Sequence, residues 1–181
     1  MKIAIVGGGP SGLYTAILVK KRRPSWQVSV IEQNVADSTF GFGVVLADSG
    51  LARIQAADAD VYEKLIAKMT FTGCQTINLK EQPIDINHPS KGGAIARIDL
   101  LNVLQDTAAK AGVDVRFGQR ISHPDDLVSL GLDDADVVIG ADGVIVKQRL
   151  RSRFVPFEDL DSVTTAVNAV TMEIYTELVP F

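Results

Sequence analysis

The stretch IAIVGGGPSGLYTA, Ile3 to Ala16, sets three consecutive glycines between an apolar run and a helical pattern. Ile3 to Val6 is short, continuous and ended by glycine, which predicts a strand buried on both faces of a parallel sheet. Ser11 to Lys21 predicts a helix with Leu13, Ala16, Ile17 and Lys20 on one face. Pro24 and the cations of KKRRP stop it. WQVSVIEQ then reads as a second strand rich in Val and Ile. The unit has the size of one strand–helix–strand crossover, about 30 residues. Gly7, Gly9 and Gly12 satisfy the spacing G-x-G-x-x-G inside it. Gly7 permits the tight turn, Gly9 lets a pyrophosphate approach the backbone, and Gly12 lets helix and strand pack closely. The free N–H groups and dipole of the helix start favour an anion there. Glu32 follows Gly12 by 20 residues at the end of the second strand. A carboxylate at that place accepts hydrogen bonds from a ribose diol and repels a 2′-phosphate, which disfavours NADP in this pocket. The alternative is a glycine-rich turn with no ligand and a solvated Glu32. The pattern does not separate NAD from FAD.

The 181 residues fit one ordinary domain. The net charge of −4 argues against a nucleic-acid partner, which requires a basic face. No run approaches the roughly 20 apolar residues of a membrane span, and the apolar start is too short for a signal peptide. A single cysteine, Cys74, allows no internal disulfide and predicts a reducing, cytoplasmic setting. Downstream, NVADSTFGFGVVLADSG reads as a loop with GVVL as a short strand. Two short helices are predicted, Ser49 to Ala57 and Ala59 to Met69. Residues 70–95 read as strand and turn, an excursion from the main sheet. ARIDLLNVLQDTAAKAG predicts an amphipathic helix with Ile98, Leu101, Leu104, Gln105 and Ala108 on one face and Gly112 at its stop. VDVRFG and Val137 to Ile139 are further strands, the latter buried, and the tail from Phe157 alternates like a strand. Alternating strands and helices predict an α/β fold with a mainly parallel, Rossmann-like sheet plus a small antiparallel excursion.

The motif DDADVVIGADGVIVKQRLR, together with the glycine fingerprint, resembles the class A flavoprotein monooxygenases, the p-hydroxybenzoate hydroxylase-like family. Asp142, Gly143 and Arg149 match that family's D-G-x-x-S-x-x-R motif, linked there to FAD and NAD(P)H. Val146 stands at the serine position, so the hydroxyl is absent. DSTFGFGVVLADSGLARI and GGAIARIDLLNVLQ are similar to a subgroup acting on CoA thioesters of aromatic acids. In that subgroup the arginine opening the long helix, here Arg97, lies near the FAD phosphates. No Gly-Asp dipeptide, the family's third motif, occurs in the sequence. The resemblance covers roughly residues 1–153, and relatives are much longer, so the chain is expected to be an N-terminal portion: a single FAD-binding domain over 1–181, with 70–95 and 160–181 at the edges of a substrate domain.

The resemblance implies an FAD-dependent aromatic hydroxylase using NAD(P)H as a transient co-substrate, dioxygen and a small aromatic substrate, with an aromatic acyl-CoA as the subgroup's substrate. It implies cofactor-binding positions at Gly7, Gly9, Pro10, Ser11, Gly12, Glu32, Gln33, Arg97 and Asp142, no metal ligands and no acid–base pair, since the flavin carries the hard chemistry. The competing reading is a non-catalytic FAD- or NAD-binding module. Arg97 is either a phosphate ligand or a solvated arginine; Asp142 is either a cofactor contact or part of a common Asp-Gly turn. Gly41 and Gly43, with Phe40 and Phe42, either bring backbone to the flavin ring or form a packed surface loop. His88 and His123 read as solvated turn residues, and Cys74 as a core thiol. Apolar surface left exposed by an incomplete domain favours a homo-oligomer.

Overall fold

The computed structural model describes residues 1–39, 41–71, 74–79, 82–87 and 92–142. The first unit follows the sequence pattern closely: β1 (Lys2–Val6), α1 (Pro10–Arg22) and β2 (Gln27–Ile31). Two later strands, β8 (Asp114–Arg116) and β9 (Val137–Gly140), complete a parallel sheet in the order β8-β2-β1-β9. The chain steps outward from β1 to β2 and β8, then returns to the other side of β1. The crevice between the ends of β1 and β9 is therefore a topological switch point, where α/β folds bind ligands.

Between β2 and β8 the chain builds β3 (Gly43–Leu46), α2 (Asp48–Ala57), α3 (Ala59–Ile66), β4 (Thr70–Phe71), β5 (Cys74–Leu79), β6 (Gln82–Asn87), β7 (Gly93–Ala96) and α4 (Arg97–Ala111). β7 pairs antiparallel with β3 on one side and β4 on the other. β5 and β6 form a separate antiparallel hairpin. The excursion predicted over 70–95 thus exists, and it recruits the GVVL strand from the preceding loop. A short helix, α5 (Asp126–Ser129), precedes β9 and had no reading in the sequence.

The main core joins Ile3, Ile5, Leu13, Ile17, Val28 and Val30 of the first unit to helix residues such as Leu51, Ile54, Leu65, Leu100 and Leu104. A smaller cluster of Ala4, Ile31, Leu127 and Leu132 packs on the other face of the sheet. β1 is buried on both faces, as its unbroken apolar run requires.

Several expectations need correction. The buried face of α4 is Leu100, Leu101, Leu104, Thr107 and Ala108, while Ile98 and Gln105 are only partly covered. α4 touches α1, α3, β7 and β8 together, so its apolar stripe is turned from the one-sided helix pattern. On α1 the buried set includes Tyr14. Lys20 instead snorkels, its Nζ donating to the carbonyls of Pro24 and Trp26. α3 ends at Ile66, not Met69. The last strand is not buried: β9 is an edge strand among the described residues, Val137 is exposed, and Val138 and Ile139 are half-covered. Gly112 caps α4 with a left-handed φ of 83°, the stop role its position suggested. The alternating tail, Gly143, Val146, Arg149, Phe40 and His88 lie outside the described residues.

Candidate functional site

Three glycines of the fingerprint meet three different environments. Gly7 has φ +119°, and a Cβ there would lie 2.4 Å from the carbonyl carbon of Ala141 and 2.6 Å from the Asp142 amide nitrogen. A Cβ on Gly12 would lie 2.0 Å from the Gly7 carbonyl oxygen. Both are filled by protein. A Cβ on Gly9 would meet nothing within 4 Å. Gly9 faces open space, where a ligand rather than the fold can use the bare backbone.

The same distances join the two informative sequence stretches. Ala141 donates its N–H to the Val6 carbonyl at 2.6 Å, and Gly7 donates to the Ile31 carbonyl at 2.8 Å. The segment Gly140 to Asp142 is therefore seated directly on the glycine loop. Gly9 is the N-cap of α1, Pro10 begins the helix, no side chain caps it, and its first turn carries no acidic residue. Its first N–H groups are left for an anion, and the helix dipole adds to the attraction.

These groups line a cavity of about 420 Å³ at the switch point. Gly7, Gly9, Pro10, Ser11, Glu32 and Gln33 border it from the first unit. Arg97 and Asp142 border it from the start of α4 and the end of β9. Gly12 lies behind the loop, in the helix–strand contact. Arg97 stands at the first position of α4, a poor place for a cation without an anion nearby. Its Nε is buried with no hydrogen-bond partner among the described residues, a donor available to a ligand. Its backbone N–H donates to the Phe42 carbonyl at 3.2 Å, which ties the Gly41–Gly43 loop to the cavity wall. Gly41 takes φ +97°, and Phe42 is fully exposed.

Sequence reasoning missed several wall residues, among them Tyr14, Asn34, Gln119 and Ile121. Gly8, the glycine outside the spacing rule, was also left without a role. A Cβ on Gly8 would sit 2.7 Å from the Glu32 Cβ. Three glycines in a row were the available signal, because the spacing rule uses only two of them. Tyr14 is 2% exposed and its hydroxyl has no partner among the described residues. Burial raises its pKa well above the ordinary phenol range; the Asp58 charge adds to this and Arg22 opposes it. His123 is a partly exposed turn residue with Nδ1 3.0 Å from an Asp125 oxygen. Among the described residues no three His, Cys, Asp or Glu side chains gather as a metal site would require, and no helix is long and apolar enough to cross a membrane.

The geometry suits the ADP part of a dinucleotide. An uncapped helix start and a buried guanidinium donor offer charge for phosphates. Glu32 offers acceptors for a ribose.

No protein-family profile matches the chain. Salicyloyl-CoA 5-hydroxylase from a Streptomyces species is 36% identical over 154 residues, covering 85% of this chain and 28% of that protein. The chain spans between 28% and 40% of the length of this and three further curated relatives. Among solved structures, 2-methyl-3-hydroxypyridine-5-carboxylic acid oxygenase (mutant C294A) superimposes with a TM-score of 0.60 at 20% identity, over 67% of this chain and 32% of its own. CtdE in complex with FAD does so with a TM-score of 0.59 at 20% identity, over 80% and 38%. The fold is thus the one on which these oxygenases are built, and the chain is a relative, across an N-terminal part of their length, of salicyloyl-CoA 5-hydroxylase and the monooxygenases similar to it.

Proposed function

We propose that this chain holds the ADP half of FAD and forms the N-terminal, cofactor-binding part of an aromatic monooxygenase. The observation that carries this reading is the contrast at the fingerprint: Gly7 and Gly12 are filled by protein, whereas Gly9 opens onto the cavity. In this reading the pyrophosphate lies against Gly9, Pro10, Ser11 and the start of α1, with Arg97 donating to it. Glu32 accepts from the adenosine ribose, with Gln33 beside it, and Asp142 closes the cofactor pocket from β9. Gly12 acts indirectly, by holding the loop on the sheet. The flavin supplies electron transfer from NAD(P)H and the activation of dioxygen. The protein's share is to bind, orient and exclude water. The similarity to salicyloyl-CoA 5-hydroxylase supports an aromatic acyl-CoA as the substrate of the whole enzyme.

The domain reading is one FAD-binding unit, with the antiparallel excursion at residues 70–95 and the segment 160–181 bordering a substrate domain. The single cysteine supports a cytoplasmic setting. A tetrameric form described for one structural neighbour supports a homo-oligomer.

The test is direct. The purified chain is expected to be yellow, to release its flavin as FAD, and to melt at higher temperature when FAD is added. A colourless protein that FAD does not stabilise overturns the reading. Because the chain spans 28% of the length of salicyloyl-CoA 5-hydroxylase, binding is expected without NADPH oxidation stimulated by aromatic acyl-CoA. A protein that binds FAD with no role in turnover, even within a longer chain, would be the non-catalytic module.

A further inference from the structure

Glu32 is already engaged. Its Oε2 accepts the Gly8 N–H at 2.7 Å. Its Oε1 accepts twice from one residue, the backbone N–H of Asn34 at 2.8 Å and the Asn34 side-chain amide at 2.6 Å. An ionised carboxylate has about four acceptor sites, two on each oxygen. Both on Oε1 are therefore used, and one on Oε2 remains. Asn34 is itself pinned: its carbonyl accepts the Gly118 N–H at 2.9 Å, and the Gln119 N–H bonds the Glu32 carbonyl at 2.9 Å. Glu32 and Asn34 both border the main cavity and a smaller one of about 60 Å³.

We propose that Asn34 is the positioning residue for ribose recognition, saturating one oxygen of Glu32 so that the carboxylate accepts a single ribose hydroxyl, through Oε2. This rests on the nucleotide reading above and deepens it. A carboxylate held on one side by two short N–H bonds cannot turn both oxygens toward a diol without breaking them. A bond to an ionised acceptor is stronger than one between neutral groups, so the carboxylate stays and the ribose adapts. The second hydroxyl must then find water or another partner.

The experiment is calorimetric titration of the full 181-residue chain with ADP, 2′-deoxy-ADP and 3′-deoxy-ADP. One deoxy analogue is expected to bind about tenfold more weakly than ADP, and the other within about twofold, as one bond to an ionised group predicts. In Asn34→Ala, ADP binding is expected to weaken and the asymmetry between the analogues to disappear, because Oε1 loses the side-chain amide, keeps only the backbone N–H of residue 34, and regains an acceptor site open to the second hydroxyl. A merely structural role would weaken all three ligands alike and leave the asymmetry intact, which overturns the proposal. Equal losses for both analogues on the wild-type chain also overturn it, since they indicate two-oxygen recognition. A wild-type chain that binds neither ADP nor FAD overturns the nucleotide reading and this inference together, whereas ADP binding without asymmetry overturns this inference alone. Should Asn34→Ala fail to fold, the wild-type comparison of the two analogues still decides.

Discussion

The parallel and antiparallel halves of this molecule hold together in different ways. In the parallel sheet, Ile3, Ala4, Ile5 and Val6 are all nearly inaccessible, and neighbouring backbones touch at Gly7 and Gly12. In the antiparallel part, β7 alternates buried Gly93 and Ile95 with exposed Ala94 and Ala96, and β3 carries an exposed Val45. Phe42, Phe71 and Ile84 are also exposed there. At the centre of the parallel half, β1 and β2 are packed on both faces. The other half is packed on one face and leaves apolar groups in water. The difference teaches what holds the glycine loop in place: the buried strands β1 and β2, with the less covered antiparallel strands forming a wall of the cavity.

The sharpest way to break this contrast is Gly12→Ala. Its Cβ would lie 2.0 Å from the Gly7 carbonyl oxygen, which is backbone and cannot yield. A loss of about 3 kcal/mol or more is expected in denaturant unfolding. Gly9→Ala, by contrast, is expected to keep wild-type stability within about 0.5 kcal/mol and to lose the FAD-induced rise in melting temperature. Next comes Ile5→Ala, a fully buried residue, with an expected cost of about 3 kcal/mol. Val45→Ala on the antiparallel side should cost under about 0.5 kcal/mol. Similar values for the two would show that the halves are equally packed.

Asp58 links the regions. Its buried carboxylate caps α3 through the Val61 N–H at 3.2 Å and meets Lys21 of α1 at 2.6 Å. Asp58→Ala removes both, and a loss of about 2 kcal/mol is expected by thermal or denaturant unfolding. Tyr14→Phe deletes a buried hydroxyl that has no partner among the described residues, so its stability should be unchanged or higher by about 1 kcal/mol.

The smallest effect is the pH response of Asp126. The N–H groups of Ser122 and His123 hold its carboxylate below the usual range. Such a group stabilises the fold above its unfolded pKa, about 3.9, and the contribution is lost as pH falls through the folded value. Asp126→Asn should lower the melting temperature slightly at neutral pH, with the difference closing in acid. A gap that persists at low pH would mean that the carboxylate's charge is not the cause.

Much of the candidate site was legible because its residues are local. A glycine loop, the helix it opens and a carboxylate at the next strand end form one continuous segment, and each position has its own steric or electrostatic reason. Tyr14 was not legible because an aromatic residue on an amphipathic helix looks like any core residue. Asn34 was not legible because its role exists only through Glu32. The face of α4 was misread because a helix pattern assumes one packing partner and this helix has several. The buried reading of β9 failed because an apolar strand does not announce that it stands at an edge.

Sequence alone determined the first crossover unit and the chemistry of its loop, since steric freedom at glycine and charge at Glu32 are properties of the residues themselves. Only tertiary structure decided which glycine is filled and which is open. That depends on Ala141 and Asp142, more than 130 positions along the chain from Gly7, coming to rest on Gly7, whose own carbonyl lies against Gly12, and leaving Gly9 bare. The close approach of two backbones is a fact of packing, and no residue type carries it.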